Sequence, residues 1–336
     1  MFEFLKDRAC SSVSVLRLAG KHYPIGVDVS DDAIKLVQLE NKDKGISLVA
    51  GGSEDRPDDV TPGSANWQRW AIDAIHRLTE NSKFRGREVV AALPAGDVFI
   101  DHIRVPKTKD GSQNAKKVFW GQDNKLQEAV LPKIKEKLPF EPDEALIKCI
   151  PTEDDNVMVI AADRIKIDRH LAIYEQANLQ IKSIGVWPAA LTNTYAGFFG
   201  RRKTDLQVVV VLLDIEPKCT NIVISRHKDL MFARSIPIGT NQLHNDEIVS
   251  RLVLELTGCR RHFSSMYKKA RIERMIFLSG QTVEKDICAT IAKQLEIPAQ
   301  MGDCLAAVET ANLYSLGIER RESKVNWATA FGLSLS

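Results

Sequence analysis

No apolar run in this 336-residue chain exceeds six residues, the longest being Val208–Leu213 and Val157–Ala162. A membrane-spanning helix takes about 20, so none is expected. The N-terminal MFEFLKDRAC has no long apolar core of the signal-peptide kind. Its Phe2, Phe4 and Leu5 read as a packed or frayed terminus. Also missing are G-x-x-x-x-G-K-[ST], G-x-G-x-x-G after a strand, H-E-x-x-H and G-x-S-x-G, which leaves P-loop, dinucleotide, metalloprotease and triad-hydrolase chemistry without support. The six cysteines are scattered with no C-x-x-C pair and no histidine cluster beside them. That argues against a zinc site and a disulfide framework and points to a reducing compartment. Charge of either sign is not in excess: Lys+Arg 46 against Asp+Glu 44 leaves +2, no whole-chain pull toward nucleic acid or membrane.

What is present is a repeat. Placing Asp28 over Asp214 aligns IGVDVSDDAIKLVQLENKD (Ile25–Asp43) with VLLDIEPKCTNIVISRHKD (Val211–Asp229) at one constant offset. Each copy has an apolar strand ending in an aspartate, a turn, a second apolar strand and a Lys-Asp tip. A shared aspartate and a shared tip suggest a duplicated α/β core. Between the copies, Gly51–Asn66 reads as a polar loop. Trp67, Trp70, Ala71, Ala74, Ile75 and Leu78 follow at helical spacing, with both tryptophans expected in the core. Val89–Leu93 and Val98–Val105 read as strands, Lys125–Leu138 as a helix that Pro132 should kink or split, and Ala145–Ile150 and Val157–Ala162 as strands. The stretch from about Arg87 to Ala162 thus predicts a small inserted α+β module. Ile165–Ala177, Glu247–Lys269, Val283–Leu295 and Trp327–Leu335 carry helical patterns, and Met275–Leu278 reads as a strand.

Three strand-to-turn junctions stand out: Asp28-Val-Ser-Asp-Asp, Asp214-Ile-Glu-Pro-Lys and Leu278-Ser-Gly-Gln-Thr. In duplicated nucleotide-binding folds two such aspartates face each other and hold Mg²⁺ through water, while turn N–H groups clasp phosphate. IGVDVSDDAIKLVQLE (Ile25–Glu40), VVAALPAGDVFIDHIRVP (Val89–Pro106), EKLPFEPDEA (Glu136–Ala145), LLDIEPKCTNIVISRHKDLMFARSIPIGTNQL (Leu212–Leu243) and ATAFGLSL (Ala328–Leu335) together resemble the PilM family of type IV pilus assembly proteins, relatives of the cell-division protein FtsA.

The resemblance implies a duplicated actin-like ATPase (ribonuclease H-like) α/β core with an inserted small α+β subdomain. Residues 1–86 and 163–205 would form the first domain, 87–162 the insert, and 206–336 the second domain, its last helix returning toward the first. It implies ATP with Mg²⁺ as cofactor, Asp28 and Asp214 as metal-facing residues, and Ser30, Lys35, Thr220, Asn221, Gly280 and Arg261 around the nucleotide. Arg260 is an alternative base contact, and a solvated helix face is the competing reading for both arginines. Glycine is missing at three places: Ser30 and Glu216 replace it in the phosphate turns, and Gln281 follows a single Gly280. A side chain forced to φ > 0 costs about 1–3 kcal/mol. A carboxylate beside a phosphate adds repulsion of up to about 4 kcal/mol per charge pair at ~4 Å and an effective dielectric of ~20. The expectation is therefore a weakened nucleotide site, weak ATPase activity at most and no catalytic residues.

In the family, the insert holds the short N-terminal cytoplasmic tail of a PilN-like bitopic membrane protein by extended-peptide capture. By position Val98, Ile100, Ile103 and Phe140 would line that groove, each with an equal claim to be core. The implied role is a cytoplasmic scaffold, peripheral at the inner membrane through its partner, with the pilus motor ATPase and a second copy as further partners and no nucleic acid. The alternatives are an active ATPase or switch of the same fold and an FtsA-like filament; ending on ATAFGLSL counts against the filament's membrane helix.

Overall fold

The computed structural model describes residues 22–42, 45–105, 123–279, 282–308 and 325–336. The first half opens with β1 (His22–Val29), β2 (Ala33–Lys42) and β3 (Gly45–Asp55), an antiparallel meander. Helix α1 (Ala65–Asn81) then leads to β4 (Glu88–Leu93). After the insert come α3 (Arg164–Gln176), β8 (Gln180–Val186) and α4 (Trp187–Thr194), which runs on into one π turn, Tyr195–Phe199. The sheet order is β3-β2-β1-β4-β8, with β1, β4 and β8 parallel. The second half repeats the plan: β9 (Val209–Ile215), β10 (Thr220–Arg226), β11 (Asp229–Ile236), α5 (Asp246–Met266), β12 (Ile272–Phe277), α6 (Lys285–Leu295), β13 (Ala299–Met301) and α7 (Cys304–Ala307). Its order, β11-β10-β9-β12-β13, is the same order with the same strand directions. Strand β9, VVVLLDI, is buried along its whole length, as a central strand covered on both faces requires.

The insert contributes β5 (Val98–Arg104), α2 (Asp123–Ile134), β6 (Ala145–Pro151) and β7 (Asn156–Asp163) as an antiparallel sheet ordered β5-β7-β6. Here the structure departs from the sequence reading. The strand Val89–Leu93, placed in the insert by its proximity to the Pro94–Asp97 turn, is β4 and pairs with β1 and β8; the separate sheet begins at Val98. The polar run from Gly51 is also not loop at its start. It completes β3, where a Cβ on Gly52 would lie 2.9 Å from a Leu78 methyl group, so glycine is what lets α1 approach. Helix α2 ends two residues past Pro132, which removes a donor and crowds the preceding turn.

Helix α1 is capped by Ser64, whose Oγ accepts from Trp67 N. It buries Trp67, Trp70, Ala71, Ala74 and Ile75 against Ile25, Val27 and Val29. The last helix, α8 (Ala328–Ser334), is buried throughout and wedges between β1 and α4. Glycine makes the wedge possible. A Cβ on Gly26 would sit 2.1 Å from the Ala330 carbonyl oxygen, and one on Gly332 1.8 Å from that of Ala190. Thr194 Oγ1 donates to Ala328 O, and Ser334 Oγ donates to Pro24 O, which fastens α8 to the first half.

Candidate functional site

The two aspartates of the repeat end β1 and β9, and the strand registers set an equivalent partner opposite each: Lys35 faces Asp28, and Asn221 faces Asp214. Both partners bond their aspartate. Lys35 Nζ is 3.3 Å from Asp28 Oδ2, and Asn221 Nδ2 donates to Asp214 Oδ2 at 3.2 Å. The halves meet at these strand ends, and one cluster of buried polar side chains fills the junction.

Glu216 points into that junction. Its carboxylate receives Lys35 Nζ at 3.4 and 3.5 Å and Asn326 Nδ2 at 3.0 Å. The same Asn326 amide donates to Asp214 Oδ1 at 2.5 Å. Burial works against the Lys35 ammonium, but Glu216, Asp28 and Asp214 outweigh it and hold it above the ordinary lysine range. Burial pushes Glu216 up to about 8; Lys35 pulls the other way, and Asp214 and Asp28 add to the rise. Burial also raises Asp214, against the hydrogen bonds from Asn326 and Asn221 and the charge of Lys35. At the mouth, Lys218 Nζ lies 3.3 Å from Asp32 and 3.9 Å from Asp31, a half-exposed pair that solvent screens.

The turns themselves are closed. Ser30 N donates to Ala33 O, Ala33 N to Ser30 Oγ, and Ser30 Oγ back to Ala33 O, so this hydroxyl serves its own hairpin instead of a ligand. In the second turn Glu216 N donates to Cys219 O, while the Glu216 and Pro217 carbonyls accept from Thr240 N and Asn241 N. That close approach depends on Gly239, whose Cβ would fall 2.3 Å from Glu216 O. Neither Ser30 nor Glu216 has positive φ. The backbone strain expected at these glycine replacements is thus absent: the loops are reshaped, and the turn N–H groups of Ser30, Ala33 and Glu216 face internal acceptors.

The other expected ligands divide. Thr220 is fully buried, with Oγ1 donating to Ile238 O. Arg260 donates to Leu295 O, neutralising a carbonyl at the C-terminal end of α6, and Arg261 is exposed on α5. Gly280 lies outside the described residues. A divalent cation does not fit this arrangement. Both oxygens of Asp214 accept from amide N–H groups, an ammonium sits on Asp28, and no group of three or more His, Cys, Asp or Glu among the described residues could hold a metal. Asn326 escaped the sequence reading. Only a capping signal was available for it, a polar residue just before a helix, and its Oδ1 does accept from Ala328 N.

The four groove residues do not share a face. Side chains alternate along β5: Val98 and Ile100 pack against the large cores of the two halves, whereas Ile103 points the other way, into the insert's own core with Val130 and Ile134. Phe140 is half-buried beyond α2.

A family model described as type IV pilus assembly protein PilM matches residues 26–258. Among solved structures the chain is similar to the PilM-PilN type IV pilus biogenesis complex, at TM-score 0.71 and 20% identity over 93% of this chain and 98% of that one. It is more distantly similar to the cytoplasmic domain of EpsL, an inner membrane component of the type II secretion system of Vibrio cholerae (TM-score 0.47, 11% identity, 82% and 95% covered). A protein with actin-like ATPase fold and unknown function from Bacteroides thetaiotaomicron stands at TM-score 0.49 and 9% identity, with 85% and 92% covered. No curated protein matches in sequence. The fold, two halves built on one five-stranded order, is that of the matched chain of the PilM-PilN complex. No helix among the described residues is long and apolar enough to cross a membrane.

Proposed function

The chain belongs to the PilM family of type IV pilus assembly proteins, and from that premise we propose that it is an assembly scaffold that works without nucleotide in its cleft. The observation that carries this reading is the Lys35 bridge: the ammonium placed to meet a phosphate is already shared between Asp28 and Glu216. A triphosphate would have to break that bridge, displace a carboxylate and turn the hairpin N–H groups outward, all for one site. Magnesium would find both Asp214 oxygens taken and an ammonium on Asp28. An ATPase of this fold needs the opposite arrangement, with free N–H groups and open carboxylates.

The scaffold's task, in this reading, is to hold the N-terminal cytoplasmic tail of a PilN-like bitopic membrane protein, through which the chain reaches the inner membrane. The tail binds as an extended segment against the inserted sheet. Of the four residues first assigned to the groove, Phe140 is the one neither built into a described core nor fully covered. The test is binding of a labelled synthetic tail peptide, followed by anisotropy with no nucleotide present. Binding by the wild type and its loss in Phe140→Asp are expected; binding that appears only on adding Mg·ATP overturns the reading.

A further inference from the structure

The bonds across the cleft come from both halves, at three depths. At the mouth Lys218 of the second hairpin meets Asp31 and Asp32 of the first. Below it Lys35 of the first meets Glu216 of the second. At the base Asn326, which precedes the helix built into the first half, reaches Asp214 and Glu216 of the second. Each link joins side chains that would separate if the halves turned away from one another.

The second half is fastened again at its far end. Strand β10 starts at the cleft with Thr220 and finishes at Arg226, and Arg226 pairs with Glu153 in the loop between β6 and β7. In the same loop Thr152 Oγ1 lies 2.5 Å from Tyr267 Oη, and at the start of β7 Asn156 Nδ2 donates to Met266 O at 3.2 Å. His102 of β5 stacks on Phe232 of β11 with ring centres 4.4 Å apart, and its Nε2 accepts from Ala233 N. The insert therefore straps the end of the β9–β11 meander opposite the cleft. Rotation that opens the cleft must break the cleft bonds, and rotation that lifts the second half off the insert must break the strap.

We infer that these two sets of bonds act as a permanent latch: the protein keeps its halves closed with no nucleotide and does not hinge when one is offered. The latch rests on the scaffold reading only in taking the cleft to work unloaded. It assigns Lys35, Glu216, Lys218 and Asn326 a shared positioning role, and it means the surface offered to a partner tail has one geometry.

The test is an interdomain distance measured with paired labels at Glu80 on α1 and Lys293 on α6, both exposed. The expected result is one narrow distance distribution in the wild type, unchanged by saturating Mg·ATP, and a shift to longer and broader distances in Glu216→Ala/Asn326→Ala. Lys218→Glu, at the half-exposed mouth, serves as the second variant should the first fail to fold, and is expected to broaden the distribution. A wild type that samples two distances, a wild type that shifts with Mg·ATP, or variants that match the wild type each overturn the latch. Tail-peptide binding on the same samples separates the two readings: a narrow distribution without binding leaves the latch and removes the scaffold, and binding with a broad distribution does the reverse.

Discussion

In the first hairpin Lys35 stands opposite Asp28, and at the equivalent place in the second Asn221 stands opposite Asp214. Ser30 and Glu216 form another equivalent pair, one in each turn. Asn221 and Ser30 act locally: the amide serves its own aspartate, and the hydroxyl closes its own turn. Lys35 and Glu216 have longer side chains, one basic and one acidic, and they meet across the halves. A duplicated scaffold has thus kept its geometry while dividing the chemistry, one local and one crossing residue in each copy. The crossing pair makes this junction a joint whose buried polar groups bond one another.

The sharpest break of this comparison is to remove the crossing cation. Lys35→Met leaves three acidic side chains in a buried junction with no counter-charge, which is expected to lower unfolding stability by about 3–5 kcal/mol. Asn221→Ala, removing the local partner, is expected to cost about 1–3 kcal/mol. Denaturant titration of both variants checks the ordering, and equal losses would dissolve the distinction between local and crossing residues.

A smaller effect is expected from the crossing anion. Glu216→Gly removes the carboxyl group that occupies Lys35, and calorimetry with Mg·ATP should show binding at least about tenfold tighter than in the wild type, a difference of about 1.4 kcal/mol. Because Glu216 is not at positive φ, Glu216→Gln should recover part of the same gain; recovery by glycine alone would assign the block to the backbone.

The pH dependence follows from the rise of the Glu216 carboxyl from 4.5 to about 8. Between these values the folded protein keeps a proton that the unfolded chain has released, so stability falls as pH rises through this window. The loss has a ceiling of about 1.4 kcal/mol per pH unit for one proton. Glu216→Gln should flatten that slope in denaturant melts taken from pH 5 to 8, and an unchanged slope would place the titration elsewhere. The smallest change belongs to the mouth: Lys218→Ala should leave stability within about 0.5 kcal/mol, since its pair is open to solvent, and a larger loss would move the joint's weight outward.

Much of the fold was legible before any coordinates. The alignment of Asp28 with Asp214 carries with it the meander of each half, and the helical stripes of α1, α3, α5 and α6 follow from their spacing. The errors came where neighbours in sequence part in space. Strand β4 was assigned to the insert because one turn separates it from β5, yet pairing with β1 on one side and β8 on the other takes it into the main sheet. The resemblance places Val98, Ile100 and Ile103 in one groove, but the alternation of β5 sends Ile103 into the insert's core and the other two toward the large cores.

The sequence by itself determined the duplication, the strand ends at which Asp28 and Asp214 sit, and the departure from glycine at Glu216, because each of these is a local pattern of residue type and period. Only the tertiary structure decided where Glu216 points and what it meets. That outcome depends on Lys35, more than half the chain away, and on Asn326, which α8 brings back to the cleft by wedging through glycine contacts between β1 and α4. The bonds of the joint follow from that packing, and no period in the sequence encodes a distance between segments so far apart.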